Sequence, residues 1–454
     1  MTEPHPPGPR QTPGGTPAAA DSAGTPLFSR GYVRYALGLL LAVAVFNTCD
    51  RTILAVLIED IQAEIEVNDT QMGLLIGFAF TTVHLLAGLP LARLADRVSR
   101  KLIVSIGLLA WSVMTALAGF AQSFGQLLLT RMGVGVGEAA GSPPSHSMIA
   151  DFTPVERRAR ALAIIPIGSI LGLGLGMFFG GWVNEFFGWR MAFISVGVPG
   201  VALAAVIWLT LREPPRGYSD GAVASRPAGD ESMLAVILYL LGRPSYRYMI
   251  LGACLAGVTT YGRNIWEPTF LRRVYEMSSG EAGTWYLLIG PLPSLVGVYF
   301  GGWIVDRLAL RDERWYMWFG AMACAVSVPL SFAFLLWPET HYAGPVPVGF
   351  LFALAMALVV GMWSPATMAL GQSLAKPHMR SLSAALWSMI YNFIGLGAGP
   401  FVVGVLSDYF EPLYQADALR YALVLAGLSP LLAAVCQLRA ARTLREDLAL
   451  ARQD

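Results

Sequence analysis

The stretch Leu39-Leu-Leu-Ala-Val-Ala-Val-Phe-Asn47-Thr-Cys-Asp50-Arg51-Thr-Ile-Leu-Ala-Val-Leu-Ile58 decides the class of fold. A helix needs roughly 20 apolar residues to cross a bilayer, and this run supplies them while carrying an adjacent acid and base near its centre. Charges in a hydrocarbon layer are costly and default to functional candidates. The whole chain matches this stretch: 454 residues, 55% hydrophobic and only 13% charged. Soluble domains average about 25% charged residues, and a chain this apolar could not cover its own core with polar groups. A cytoplasmic enzyme, a nucleic-acid binder and a disordered protein are therefore excluded. A net charge of +1 offers no general attraction for polyanions, so no nucleic-acid partner is expected.

Working outward, twelve apolar segments follow one another: 32–60, 69–92, 101–121, 125–150, 158–184, 189–211, 246–270, 283–305, 315–337, 346–374, 380–407 and 417–438. Basic residues crowd alternate loops and the two chain ends, which hold 24 of the 31 Lys and Arg. The opposite loops hold Arg190, Arg272, Arg273 and Arg420, and the first of them is acidic, with Glu59, Asp60, Glu64, Glu66 and Asp69. This is the positive-inside pattern. It predicts a multi-pass protein of an inner or plasma membrane with both termini cytoplasmic. Residues 1–29, rich in Pro, Gly, Ala and Thr without an apolar h-region, read as a disordered cytoplasmic tail and not a signal peptide. Cys49, Cys254, Cys324 and Cys436 lie singly in apolar runs, so neither a disulfide framework nor a metal site is expected.

The polar stretch 212–244 reads as a linker between a six-helix bundle at 30–211 and a second at 245–440, with a cytoplasmic tail at 441–454. An internal repeat supports the division. Pro154, Arg157, Gly172, Gly174, Gly176 and Gly181 recur 223 positions later as Pro377, Arg380, Gly395, Gly397, Gly399 and Gly404. Leu94-Ala95-Asp96-Arg97 is echoed by Ile304-Val305-Asp306-Arg307. A parallel duplication of this kind builds two-bundle secondary transporters. The expected fold is all-α, with twelve transmembrane helices in two pseudo-symmetric bundles.

Ala92-x-Leu94-Ala95-Asp96-Arg97-x-Ser99-Arg100-Lys101 resembles the signature loop between spans two and three of the major facilitator superfamily, with Ala92 and Ser99 where glycines are usual. Arg131-Met-Gly133-Val-Gly135 resembles the span-four motif of that superfamily. Gly168, Gly172, Gly176 and Gly180 resemble its span-five glycine motif without the usual Pro. Three further motifs together resemble the Spinster family: Asn47-x-x-Asp50-Arg51, Arg131 through Gly137-Glu138-Ala139, and Arg212-Glu213-Pro214-Pro215-Arg216-Gly217. Members of that family are associated with sphingosine phosphates and lysophospholipids, so the resemblance implies a lipid-like amphiphile as substrate.

The charges inside spans mark the candidate site. Asp50 and Arg51 project about 100° apart on a helix, and Arg131 and Glu138 lie about 10 Å apart along theirs. Each therefore needs a partner from another helix. Counting depth from the helix ends places the four together between spans one and four. Arg51 and Arg131 suit a phosphate, a carboxylate suits an amine, and Asp50 or Glu138 is the expected proton site. An inert network locking the first bundle is the alternative. Pro143 and Pro144 should kink span four beside this cluster.

In the second half, Arg263, Asn264, Trp266, Glu267, Trp363, Tyr391 and Asn392 are candidate substrate contacts, with Trp387 as a further aromatic wall. Arg263 and Glu267 are also spaced to pair on one face. Gly168, Gly172, Gly176 and Gly180 form a thin stripe for close helix packing. Asp96, Arg97, Arg100, Asp306 and Arg307 are expected to latch the cytoplasmic side in an outward-facing state and to part on inward opening. His84 and His146 read as structural histidines.

The expected activity is alternating-access, proton-coupled transport of a lysolipid or sphingoid-phosphate-like amphiphile by a monomer among membrane lipids, with protons as the coupling ion and no cofactor. A hydrophilic organic anion or a drug on the same fold, a membrane lipid enzyme, and a non-transporting receptor are the alternatives.

Overall fold

A computed structural model describes residues 27–219, 233–376 and 379–453. Most of the expected N-terminal tail and the middle of the expected linker lie outside the described residues.

Twelve helical spans account for nearly all of the described chain. Span one is Arg30–Ile65. Span two joins Asp69–Leu74, a wide π-type turn at Leu75–Ala79, and Phe80–Arg97. Span three is Arg100–Ala118, and span four comes in two pieces, Phe124–Ala139 and Ser142–Phe152. Val155–Leu162 leads into span five, Ile164–Phe187, and span six is Trp189–Thr210. After a short helix, Met233–Leu241, span seven is Pro244–Val274. Span eight joins Ser279–Ile289 to Pro291–Ala309, span nine is Trp315–Leu336, and span ten is Val348–Ser373. Span eleven joins Arg380–Asn392, a second π-type turn at Phe393–Ala398, and Gly399–Tyr414. Span twelve joins Ala418–Ala426 to Ser429–Gln453. A two-residue hairpin, Tyr342–Ala343 with Val346–Pro347, bridges spans nine and ten around Gly344 at φ 66°.

Spans four, seven and ten are not among the helices that are long and apolar enough to cross a membrane on composition alone; span ten has a shorter apolar helix at Val348–Trp363. Spans four and seven carry in-span charges, and span four is also broken. Pro143 has no N–H to return to the carbonyl of Ala139, so the first helix stops there and the second restarts at Ser142. The helix after Ala440 runs on to Gln453 where a tail was expected. Ala441, Leu444, Leu448 and Ala451 recur at helical spacing and are buried, and Asp447 accepts from the Ser245 N–H at 2.9 Å.

The bundle faces pack in pseudo-equivalent pairs, span one on five and seven on eleven, three on six and nine on twelve. The end holding the first loop's carboxylates is called the acidic end, and the opposite one the basic end. At the acidic half one continuous core crosses both bundles, from Ile53–Ile58 and Met177 to Ile265–Leu271, Tyr286 and Val403. At the basic half the core divides into two clusters, one around Leu40, Leu108, Trp111 and Met148 that reaches the second bundle at Leu396, the other around Tyr246, Met249, Leu374 and Leu444. The bundles are thus fused at the acidic end.

Candidate functional site

Span one brings its charge pair to span four, but not as a four-membered ring. Arg51 Nη2 donates to Glu138 Oε2 at 2.6 Å and to Asn47 Oδ1 at 3.4 Å, one turn back on its own helix. The guanidinium lies over the Phe80 ring at 4.8 Å. Glu138 is fully buried, whereas the Arg51 side chain keeps 23% of its surface. Arg131 Nη1 donates to the backbone carbonyl of Asp50 at 2.8 Å, and its guanidinium stacks on Phe193 at 5.1 Å. The Asp50 carboxylate is sealed in the protein, faced by Trp111 and Thr115 without closing a hydrogen bond. Burying a carboxylate without a hydrogen-bonding partner is costly.

Between the bundles lies a cavity of about 430 Å³. Its first-half wall is Asn47, Arg51 and Thr52 of span one with Ser169, Ile170 and Leu173 of span five. Its second-half wall includes Asn264, Trp363, Tyr391 and Asn392. Tyr261, which sequence reasoning missed, joins this wall. Its hydroxyl donates to Asn392 Oδ1 at 3.0 Å and its ring tilts on Tyr391. Its position two residues before Arg263 was the available signal. Arg131 is 3% exposed and sits beside a small void with Arg51, not in this cavity. Trp266 is also placed elsewhere. It is fully buried in the acidic-end core and donates to the Pro400 carbonyl at 2.8 Å, because its indole finds that acceptor where spans seven and eleven cross. Trp387 is buried within the second bundle.

Towards the second bundle lies a smaller chamber, of about 120 Å³, that shares Thr260, Asn264, Ser294 and Trp363, and Ile170 and Leu173 of span five, with the central cavity. Here Arg263 Nε donates to Glu267 Oε2 at 2.7 Å on one helix face, and the guanidinium covers the Phe334 ring at 5.4 Å.

The acidic end is closed by two seams with the same construction. In one, span five meets span eight: Glu185 Oε2 accepts from the Ser278 hydroxyl at 2.6 Å and from the Gly280 N–H at 2.9 Å, capping span eight from the other bundle. In the other, span eleven meets span two: Asp408 accepts from the N–H groups of Asp69 and Thr70 at 3.1 and 2.8 Å, capping span two. A carboxylate favours a helix N-terminus, where free N–H groups and the dipole converge. Glu185 and Asp408 stand at the repeat spacing, as do Gly181 and Gly404, which bring their backbones against the Ser279 and Asp69 carbonyls.

Ion pairs reinforce this end. Arg272 holds Asp60 through both guanidinium nitrogens at 2.5 and 3.1 Å. Arg273 holds Glu59 at 2.7 Å and Asp69 at 2.7 and 2.8 Å. The signal for these pairs was present in sequence, as an acidic first loop facing a loop with two adjacent arginines.

Two six-helix bundles, a cavity between them and seams built twice at one repeat spacing describe a rocking carrier. A model of the Major Facilitator Superfamily matches residues 40–400. The chain belongs to that superfamily. An MFS-type efflux pump of Mycolicibacterium smegmatis is 34% identical over 415 residues, which is 91% of this chain and 94% of that protein. Protein spinster homolog 1 of Xenopus tropicalis is 28% identical over 419 residues, 86% of this chain and 77% of that one. A crystal structure of a bacterial homologue of the human lysosomal transporter Spinster, inward-facing and unoccupied, is 27% identical and covers 92% of this chain and 99% of that one, with a TM-score of 0.83. The chain is a Spinster-like transporter and an integral multi-pass membrane protein.

The superfamily's signature loop sits at the basic end. The Asp96 side chain lies outside the described residues. Arg97 is exposed. Asp306 is exposed and accepts from the Tyr316 hydroxyl at 3.3 Å, and Arg307 lies over the Trp303 ring at 3.8 Å, both within the second bundle. Arg100 makes its contacts within the first bundle. It is buried within the first bundle, paired with Asp151 and with Glu213 at 3.1 Å, and donates to the Pro214 carbonyl at 2.7 Å. A buried guanidinium must satisfy its donors locally, and the segment after span six supplies the acceptors. Glu213 also accepts from the Ser99 hydroxyl and the Arg100 N–H. The Arg212–Gly217 motif is therefore a strap docked across the signature loop.

On span five, Gly168, Gly172, Gly176 and Gly180 all face span one, so this stripe packs inside one bundle. Gly174 and Gly181 face span eight instead. His84 stacks on Phe80, and His146 contacts the Ser142 carbonyl at 2.8 Å.

Proposed function

We propose that this carrier couples protons to the transport of a single-chain amphiphile with an anionic or zwitterionic head, of the lysolipid or sphingoid-phosphate kind. One observation carries the reading. Arg51 stands at the cavity wall, yet its charge is taken up by the buried Glu138 at 2.6 Å. A guanidinium can satisfy either that carboxylate or the anionic head of a cargo, with bidentate geometry available to both. Protonating Glu138 frees Arg51 for cargo; releasing cargo returns Arg51 to Glu138 and expels the proton. Proton and amphiphile then occupy the carrier in linked fashion. Asp50 and Arg131 stay sealed and set the position of span one against span four. The polar first-half wall and the aromatic second-half wall of the cavity suit a head and a tail. The Spinster relatives support a lipid-like cargo.

By the distribution of basic loops, the basic end with both termini is cytoplasmic. The acidic end then faces away from the cytoplasm, and the sealed acidic end makes this an inward-facing state. Asp96 and Asp306 latch the cytoplasmic end in the opposite state. The protein works as a monomer in an inner or plasma membrane.

A second reading rests on the efflux pump relative, at 34% identity: export of a drug-like apolar molecule through the same cavity. Flux in proteoliposomes separates the two. Single-chain phosphates crossing under a pH gradient support the amphiphile reading. Flux of apolar cations alone would favour the second.

A further inference from the structure

We infer that the chamber on the second-bundle side of the central cavity is a binding subsite for a hydroxyl group. Two of its lining residues each hold a buried polar atom without a hydrogen-bond partner among the described residues: Glu267 Oε1 and the Tyr286 hydroxyl oxygen. Glu267 is 2% exposed and Tyr286 1%, and the two lie within electrostatic reach of each other. Buried polar groups in folded proteins are nearly always paired, so an orphaned pair lining one chamber marks a place where a ligand completes the bonding.

The chemistry of the two atoms selects the ligand. Glu267 Oε1 only accepts while the carboxylate is ionised and held by Arg263 through its other oxygen. The Tyr286 phenol has a proton to give. A hydroxyl serves both, donating to the carboxylate and accepting from the phenol. An ammonium satisfies the first and not the second, and brings an uncompensated charge next to Arg263. A phosphate satisfies the second and is repelled by the first. Two other hydroxyls in the wall have spent their protons on backbone carbonyls: Ser327 on Cys324 at 2.8 Å and Thr260 on Ala256 at 2.9 Å. They present oxygen lone pairs, which again suits a donor.

Size selects the part of the ligand. About 120 Å³ admits a short polar fragment, since one water takes roughly 30 Å³ of liquid. The residues shared with the central cavity connect the two spaces, so the hydroxyl belongs to a molecule whose remainder lies between the bundles. This deepens the amphiphile reading and rests on it for the identity of that remainder, but not for the chamber's own chemistry.

The test is equilibrium binding to the full chain in lipid nanodiscs, read without any flux. The probes are 1-O-decylglycerol and its di-O-methyl ether, in which methyl groups replace the two hydroxyl protons. Wild type should bind the glycerol ether about tenfold or more tightly than the methylated probe, as expected for a hydrogen bond to a charged group. Tyr286→Phe removes one oxygen from a ring that otherwise stays packed, and Glu267→Gln removes the charge. Each should bring the ratio several-fold closer to one. A wild-type ratio near one overturns the inference, as does binding of neither probe or a ratio unchanged in both variants. Absence of amphiphile flux with the ratio intact would instead remove the transport reading and leave the subsite standing.

Discussion

Gly181 and Gly404 offer a perturbation whose effect depends on which state the seams serve. A Cβ on Gly181 would stand 2.9 Å from the carbonyl carbon of Ser279, and on Gly404 2.8 Å from that of Asp69. Carbon atoms pack at about 3.5–4.0 Å, so each seam must widen by about 1 Å to admit a side chain. Overpacking of this kind costs about 1–3 kcal/mol. Because the partner backbone belongs to the other bundle, the cost falls on the closed acidic end and not on the bundle itself. The ratio of closed to open acidic end should then fall by about 5- to 150-fold in Gly181→Val or Gly404→Val. Spin labels at Phe187 and Tyr342, both exposed at the acidic end, report the separation of the bundles by electron–electron double resonance. The variants should populate longer distances than the parent. Gly176→Val is the control, because its Cβ would meet Cys49 of span one at 2.9 Å within the same bundle. It should lower the melting temperature and leave the distances alone. Unchanged distances in Gly181→Val, or the same change in Gly176→Val, would refute the reasoning.

Other outcomes follow from the ion pairs. Arg273→Ala leaves Glu59 and Asp69 facing one another at the seam, and should lengthen the same label distance. A parent-like distribution would show that the arginine does not hold the seam. Arg51→Lys keeps the charge and loses the fork that Glu138 and a head group would share, so transport should fall by roughly tenfold or more; parent-like initial rates would count against the shared-arginine scheme. Burial opposes ionisation of Glu213, but the Ser99 hydroxyl and the Arg100 N–H and guanidinium outweigh it and hold its pKa below the usual value. A depressed folded pKa means that the strap stabilises the fold above the unfolded value, about 4.3, and loses that effect as pH falls through the folded one. The melting-temperature gap between the parent and Glu213→Gln should therefore close as pH drops below about 4. A gap independent of pH would assign the strap's effect to packing.

The sequence carried the span pattern because hydrophobic length and loop charge are local properties. The duplication was legible for the same reason. Gly172 and Gly176 could be matched to Gly395 and Gly399 from spacing alone. What they touch was not legible, since a glycine stripe has the same spacing whether it faces its own bundle or the other. The structure separates Gly176, which packs against span one, from Gly181, which packs against span eight. The buried charges identified the right helices, because a charge in an apolar run has few innocent explanations. Partner choice required depth to a fraction of a turn, which helix counting does not give. Arg131 reaches the Asp50 carbonyl and not its carboxylate. Trp266 illustrates the limit for aromatics: position on a helix face does not say whether that face meets a cavity or another helix. The π-type turns at Leu75–Ala79 and Phe393–Ala398 arise where spans two and eleven press together, with a Cβ on Gly77 standing 3.2 Å from the Gly397 carbonyl carbon. No local propensity announces such a contact.

The pairing of Arg51 with Glu138 at the cavity wall is the central claim, and proteoliposome flux tests it most directly. Purified carrier is reconstituted with and without a pH gradient, and uptake of a single-chain alkyl phosphate is followed in the parent and in Glu138→Gln. Proton-linked transport through this pair predicts that the gradient accelerates the parent by tenfold or so, and that the variant is indifferent to it. Gradient-driven uptake in Glu138→Gln equal to that of the parent would contradict it.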